Sequence, residues 1–261
     1  MSLDAREDLV VAEFRAGEQR WIEGLGNLRN TIRQEMIRRQ LADHVDASMS
    51  VLDVGCGQGT QALALAAQGC TVTGVEPSAE LRDLCSRAAD ERGVAIEVID
   101  GSLGDLDSLL GERRFDLVCA HGVVMYLDDR AAAFGALATR VGPAGLLSVT
   151  FRNGHALAMR AGMRRDWAGA LAAFDSVRYV NELGVEARAD LLDDIVAEVV
   201  AGGLQPAAWY GVRVFNDAVA ADATLPDGEE LAALLDSEDQ AGRRDPYRWF
   251  GSQLHLVARR L

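Results

Sequence analysis

The stretch Val51-Leu52-Asp53-Val54-Gly55-Cys56-Gly57-Gln58-Gly59-Thr60 constrains the fold of this chain more than any other segment. Val51, Leu52 and Val54 suit a strand covered on both faces, and a helical pattern through Ala62, Leu63, Leu65 and Ala66 follows. Alternating glycines between such a strand and such a helix let the backbone turn sharply and let a ligand approach without Cβ atoms in the way. A phosphate-binding G-x-G-x-x-G loop places its third glycine at position 60, where this chain has Thr60. Instead an acid, Asp53, stands two residues before Gly55, in the pattern D-x-G-x-G-x-G that ends at Gly59. The turn reads as a nucleoside cradle.

A second acid arrives where such a cradle needs one. Thr71 to Val75 reads as the next strand, and Glu76 follows 17 residues after Gly59, near the spacing at which an acid accepts hydrogen bonds from ribose hydroxyls. The plainer role for Glu76 is a strand-end carboxylate that caps the helix after Pro77-Ser78. Taken together, the two acids and the glycines point to an adenosine-type cofactor. The glycine pattern resembles the first motif of class I S-adenosylmethionine-dependent methyltransferases.

The rest of the chain predicts one domain over residues 1–261, since its 49% hydrophobic content can bury a full core and no linker or repeat interrupts it. Helical and strand patterns alternate. A helix is predicted over 79–92, a third strand over 94–99, a fourth over 115–120, a helix over 130–140 and a fifth strand over 146–151 after the turn Gly142-Pro143-Ala144-Gly145. A helix near 189–201 and strands over 209–215 and 253–259 complete the pattern. The expectation is an α/β fold with a doubly wound, seven-stranded, mostly parallel sheet, the Rossmann-like class I methyltransferase fold, whose last strand runs antiparallel. An amphipathic helix carrying Ile32, Met36, Ile37 and Leu41 belongs to an N-terminal helical cap, residues 1–47. Insertions at 152–187 and 217–244 follow strand carboxyl ends and are expected to form a helical lid and substrate pocket.

Composition excludes several classes. All 26 basic residues are arginine, which removes Schiff-base and P-loop lysine chemistry. The net charge of −14 repels a polyanionic partner unless a locally basic face meets it. Cys56, Cys70, Cys85 and Cys119 form no C-x-x-C pair, and His44, His121, His155 and His255 show no metal-ligand spacing, so buried thiols and no metal are expected. The start of the chain is charged and no apolar run nears 18 residues, which predicts a cytoplasmic protein with no membrane partner.

Shorter islands narrow the resemblance. Ile32-Arg33-Gln34, His121-Gly122-Val123-Val124, Phe151-Arg152-Asn153-Gly154-His155, Gly211-Val212-Arg213-Val214-Phe215-Asn216-Asp217, Asp245-Pro246-Tyr247 and His255-Leu256-Val257-Ala258-Arg259 are similar to the tRNA 5-carboxymethoxyuridine methyltransferases. That resemblance implies S-adenosylmethionine as cofactor. It places Arg33 on the methionine carboxylate, the backbone at Gly55 and Gly57 along the methionine and ribose, Glu76 on the ribose, Ser102 and Leu103 against adenine, and His121 beside the methyl donor. Asp53 and Gly59 complete the cofactor motif. Arg213 and Tyr247, with Arg152, Asn153 and His155, are expected to hold a carboxylate acceptor. The bland alternatives are a strand-end cap for His121, an ion pair for Arg213, and packing beside Trp249 and Phe250 for Tyr247.

A carboxylate acceptor is already ionised at neutral pH, so alignment with the sulfonium suffices; a hydroxyl or amine acceptor needs a base, with His121 or His155 as candidates. One departure from the family stands out: its lysine-rich insertion reads Asp175-Ser176-Val177-Arg178-Tyr179-Val180-Asn181-Glu182-Leu183 here, and Arg160, Arg164, Arg165, Arg243 and Arg244 read either as a basic rim or as a solvated helix face. The acceptor is therefore either a tRNA uridine carboxylate or a polar small molecule methylated on oxygen or nitrogen. No N/D-P-P-Y/F or Pro-Cys motif follows the fourth strand, which argues against base-amine and cytosine-5 methylation. Alternatives of another class are a nicotinamide-dependent oxidoreductase, disfavoured by the glycine spacing and Asp53, and a non-catalytic nucleotide-binding module.

Overall fold

Strand patterns of period two and buried apolar runs become a twisted sheet in the computed structural model, which describes residues 17–181, 183–220 and 223–261. The strands are β1 (Ser50–Val54), β2 (Thr71–Glu76), β3 (Ile96–Asp100), β4 (Phe115–His121), β5 (Val141–Asn153), β6 (Arg178–Val180), β7 (Glu186–Asp190), β8 (Leu204–Val212) and β9 (Gln253–Arg260). Parallel pairing orders the first five as β3-β2-β1-β4-β5. The chain then leaves the sheet, and β9 returns antiparallel between β5 and β8. A doubly wound sheet of seven main strands with an antiparallel last strand is thus present.

Three details differ from the sequence expectation. The insertion after β5 is not helical throughout: after helices at His155–Met163 and Trp167–Ala172 it forms the antiparallel hairpin β6–β7, and β7 pairs parallel with Arg152 and Asn153. The predicted turn at Gly142–Gly145 lies inside β5, as an irregularity that shifts its register against β4 between Phe115 and Leu117 and gives Ala144 a φ of 57°. The strand expected at 209–215 starts earlier and ends at Val212, because Arg213 turns into the left-handed region at φ 56°.

Helices cover both faces. Leu106–Leu110, Arg130–Arg140 and Leu192–Ala201 pack Leu106, Phe134, Leu137 and Ile195 on one face. The helix Leu28–Leu41 closes the other with Ile32, Met36, Ile37 and Leu41, each buried to 2% or less and each contributing about 1.5–3 kcal/mol. It starts where the Asn27 side chain accepts the Asn30 N–H at 2.8 Å. Helix Gly228–Arg243 lies against it and against β8. The four cysteines are reduced and buried. No described helix is long and apolar enough to cross a membrane. The expected cap 1–47 falls partly outside the described residues, as does the charged chain start; residues 17–23 are helical.

Candidate active site

The carboxyl ends of the parallel strands open into a cavity of about 650 Å³. Its first wall is the glycine turn. Gly55, Gly57 and Gly59 have φ of 68°, 57° and 83°, a region that favours glycine. A Cβ on Gly57 would stand in open space at the cavity edge, whereas one on Gly59 would collide with Cys85 Sγ and Leu63. Gly57 therefore serves the cavity and Gly59 the packing beneath it, so of the cofactor motif Gly55 and Gly57 line the cavity and Asp53 and Gly59 do not.

Glu76 unites its two sequence readings. Its carboxylate is buried at the end of β2 and lines the cavity, while its oxygens accept the Gly57 N–H and the Ser78 N–H, both at 2.9 Å. It thus ties the glycine turn to the start of helix Ala79–Arg92, whose N-cap is Ser78 itself. Burial raises the Glu76 pKa against those two amides. Asp53, buried beneath the turn, is pushed up to about 7 by burial and by the neighbouring Glu76 charge. Ser102 and Leu103, after β3, line the same side, with Ser102 donating from Oγ and N–H to Asp105 Oδ2.

The far wall is built of arginines. Arg29 and Arg33 project from helix Leu28–Leu41, Arg152 from the end of β5, Arg160 from helix His155–Met163, and Arg213 from the turn after β8. Asp217 gathers four of them. Arg152 donates to it from both Nη atoms at 2.9 and 3.2 Å, Arg213 Nη2 at 3.0 Å, and Arg29 and Arg160 lie 3.9 and 4.0 Å away. These charges hold the Asp217 carboxyl below its ordinary pKa although burial opposes them. Burial pushes Arg213 down to about 9, partly offset by Asp217, so it stays cationic at neutral pH.

The turn that aims Arg213 is held from the second insertion. Buried Glu238 on helix Gly228–Arg243 accepts the backbone N–H groups of Val214 and Phe215 and the Asn216 side-chain amide. Among the described residues, none of 218–244 lines the cavity. This insertion buttresses the site from behind, because its helix is occupied in packing on Leu28–Leu41 and β8.

His121 stands between the two walls, since β4 lies between β1 and β5. Its Nε2 bonds Ser148 Oγ at 2.8 Å and its buried Nδ1 has no partner. Burial and the nearby Arg33 charge push its pKa down to about 3. Arg33 is pushed down to about 10 by burial; its guanidinium stacks 4.7 Å over Trp21, and Trp21 in turn donates to Gln58 of the glycine turn at 3.2 Å.

The fold thus brings Arg33, Gly55, Gly57, Glu76, Ser102, Leu103, His121 and Arg213 to one cavity, with Arg152. Tyr247 and His155 stand outside it. Tyr247 is half-exposed and packs edge-to-face on Phe215, a different aromatic partner from the Trp249 and Phe250 expected. His155 opens its helix on the exposed side, because Asn153 turns inward to donate to the carbonyls of Trp249 and Gly251. Sequence reasoning missed Arg29, Asp217, Tyr126, Tyr179 and Gln253 around this cavity; single polar residues in apolar elements carried no motif signal.

The chain is similar to known methyltransferases. A family model described as "Methyltransferase domain" matches residues 52–149. The chain is 30% identical over 244 residues to the tRNA 5-carboxymethoxyuridine methyltransferase of Escherichia coli (strain K12), covering 90% of this chain and 89% of that protein. It is also 30% identical over 159 residues to the ubiquinone biosynthesis O-methyltransferase of Methylobacterium sp. (strain 4-46), covering 56% and 62%. The magnesium protoporphyrin IX methyltransferase of Synechocystis PCC 6803, solved with bound SAH, shares the fold at a TM-score of 0.60 and 17% identity, covering 94% of each chain.

Proposed function

Because this chain belongs to the class I S-adenosylmethionine-dependent methyltransferases, in the family of the tRNA 5-carboxymethoxyuridine methyltransferases, we propose that it methylates a carboxylate oxygen, the leading acceptor being the carboxylate of a modified tRNA wobble uridine. The observation that carries this reading is the pair Arg152 and Arg213, buried side by side on Asp217 in the same cavity as the glycine turn. The nicotinamide alternative falls with the family membership.

The residues present fit the cofactor. Open space faces Gly57, and Arg33 Nε and His121 Nδ1, on two residues that line the cavity, are buried polar atoms without partners, which a bound ligand can satisfy. Arg33 takes the methionine carboxylate, the backbone at Gly55 and Gly57 follows the methionine and ribose, Glu76 accepts from the ribose hydroxyls, and Ser102 and Leu103 contact adenine. Asp53 and Gly59 shape the turn from beneath. When bound, the cofactor supplies a methyl group already activated on a sulfonium, so the protein needs no nucleophile of its own.

The chain's residues then have one main task, which is to orient an anion. Arg213 and Arg152 offer guanidinium forks whose N–H groups fix a carboxylate in one plane. His121 stays neutral and is too weak a base to deprotonate a hydroxyl or amine, which favours an acceptor that arrives ionised. The 152–187 insertion lends Tyr179 and Asn181 from its hairpin, and Trp21 covers the glycine turn, so these two segments form the lid.

A second reading, methylation of a polar small molecule, is favoured by the insertion surface. Met163, Trp167, Leu171 and Phe174 are exposed there, in a protein of charge −14. The test supplies methyl-labelled S-adenosylmethionine with bulk tRNA and with metabolite extract, then treats the products with mild base. Base-labile label on tRNA is expected, as a methyl ester releases methanol. Label confined to metabolites removes the tRNA acceptor, and base-stable label removes the carboxylate.

A further inference from the structure

We infer that a buried hydrogen-bond chain locks His121 into one neutral tautomer whose Nδ1 lone pair accepts a hydrogen bond from the α-ammonium of the cofactor's methionine group. The ammonium half of this inference rests on the proposed cofactor site; the tautomer half rests on the protein alone.

The chain has a fixed direction because one end is a backbone carbonyl. Gly211 C=O can only accept, so the Gln40 side-chain atom 3.0 Å from it must be the donating Nε2. That leaves Gln40 Oε1 to accept, and it lies 2.8 Å from His255 Nδ1, which therefore carries a hydrogen. His255 is fully buried between strands, and burial drives its pKa well below the usual value, so it is neutral and its Nε2 is a lone pair. Ser148 Oγ, 2.7 Å away, must give that lone pair its single hydrogen. The oxygen's remaining lone pairs face His121 Nε2 at 2.8 Å, and that nitrogen must be protonated in turn. His121 is neutral as well, so its Nδ1 is left as an acceptor, buried and without a partner.

An orphaned acceptor on a residue that lines the cavity calls for a donor. A carboxylate is repelled by a lone pair, whereas an ammonium N–H satisfies it. Arg33 supplies the complementary half, since a Cβ on Gly122, the residue after His121, would stand 3.6 Å from Arg33 Nη1. In an α-amino acid one carbon joins carboxylate and ammonium, so a head group held by Arg33 presents its ammonium to the neighbouring imidazole. The helix Leu28–Leu41 provides both ends of this device: Arg33 reaches the cavity, and Gln40, two turns later, anchors the hydrogen-bond chain. Ser148, His255 and Gln40 are thus positioning residues, none of which touches the cavity.

The tautomers can be read by ¹⁵N NMR of the full chain carrying His44→Gln and His155→Gln, which leaves His121 and His255. Opposite tautomers are expected in the ligand-free protein: a pyridine-type Nδ1 for His121 and a pyridine-type Nε2 for His255. The His121 Nδ1 resonance is expected to move on adding S-adenosylhomocysteine and to stay in place with 5′-methylthioadenosine, which lacks the amino acid group. Ser148→Ala should weaken S-adenosylhomocysteine roughly five-fold and leave 5′-methylthioadenosine unchanged, with Ser148→Thr restoring the difference because it keeps the hydroxyl. A pyrrole-type Nδ1 on His121, or equal losses for both nucleosides, overturns the inference. Failure of both nucleosides to bind the unsubstituted protein would instead sink the cofactor site, and with it the ammonium contact, while the ligand-free tautomers remain a separate reading.

Discussion

The two walls of the cavity handle charge in opposite ways. On the proposed nucleoside side two acids, Asp53 and Glu76, stand close together at the glycine turn, and the pKa of each is raised. On the proposed acceptor side arginines crowd around one acid, Asp217, whose pKa is lowered. The first wall comes mostly from one continuous stretch, residues 51–76, joined by Ser102 and Leu103 after β3, while the second collects side chains from a helix at the N-terminal end, the tip of β5, an inserted helix and the turn after β8. A wall made of neighbours in sequence can be a motif; a wall made of strangers depends on every element that carries it.

The comparison is broken most severely by removing the shared acid. Asp217→Ala leaves Arg152 and Arg213 facing each other without their buried carboxylate, and should cost about 3–5 kcal/mol in urea unfolding. A loss below about 1 kcal/mol would mean that the arginines separate into solvent.

The next effect is a pH dependence on the opposite wall. An acid whose folded pKa is raised binds protons more tightly in the folded state, so its penalty is absent near pH 4 and complete above about pH 7. For Asp53, raised from 3.8 to about 7, that penalty is at most about 4 kcal/mol. Asp53→Asn should therefore gain stability over the unsubstituted protein as pH rises from 4 to 7. Parallel thermal-unfolding curves across that range would place the Asp53 carboxyl in contact with water.

Two substitutions separate the walls by function. Arg213→Ala should lower kcat/KM roughly ten- to hundred-fold through a lost charge-assisted contact and leave S-adenosylhomocysteine affinity unchanged. Glu76→Ala should do the reverse, weakening the nucleoside by about 1–3 kcal/mol in calorimetry. If Arg213→Ala costs nucleoside affinity instead, the two walls are not separate sites. The smallest effect is Ser78→Ala, which removes the helix cap behind Glu76 and should cost about 1 kcal/mol of stability by chemical unfolding.

The legible parts of this site follow the same division. Asp53, the glycines and Glu76 announce themselves because strand, turn and helix signals are local and the proposed cofactor site is backbone that the motif itself shapes. Arg33 and Arg213 were reached only through short islands of family resemblance. Asp217 lay inside the same island as Arg213 without a role, and its meaning came from the partners that β5 and helix His155–Met163 bring to it. Tyr247 and His155 belonged to equally suggestive islands, yet neither lines the cavity, and Asn153 beside His155 spends its amide on the carbonyls of Trp249 and Gly251. The hairpin β6–β7 was not foreseen, because its strands are short and mixed in character and one of them is stabilised by pairing with the tip of β5.

By itself, the sequence determined the layered sheet, the nucleoside turn and the class of cofactor, since periodicity, glycine conformation and the spacing of two acids act over a few tens of residues. Only the tertiary structure decided which arginines share one carboxylate and which nitrogen of His121 carries its proton. Those outcomes depend on residues 40, 148, 152, 213, 217 and 255 meeting across strands, and electrostatics in a buried site is set by distance in space, not along the chain.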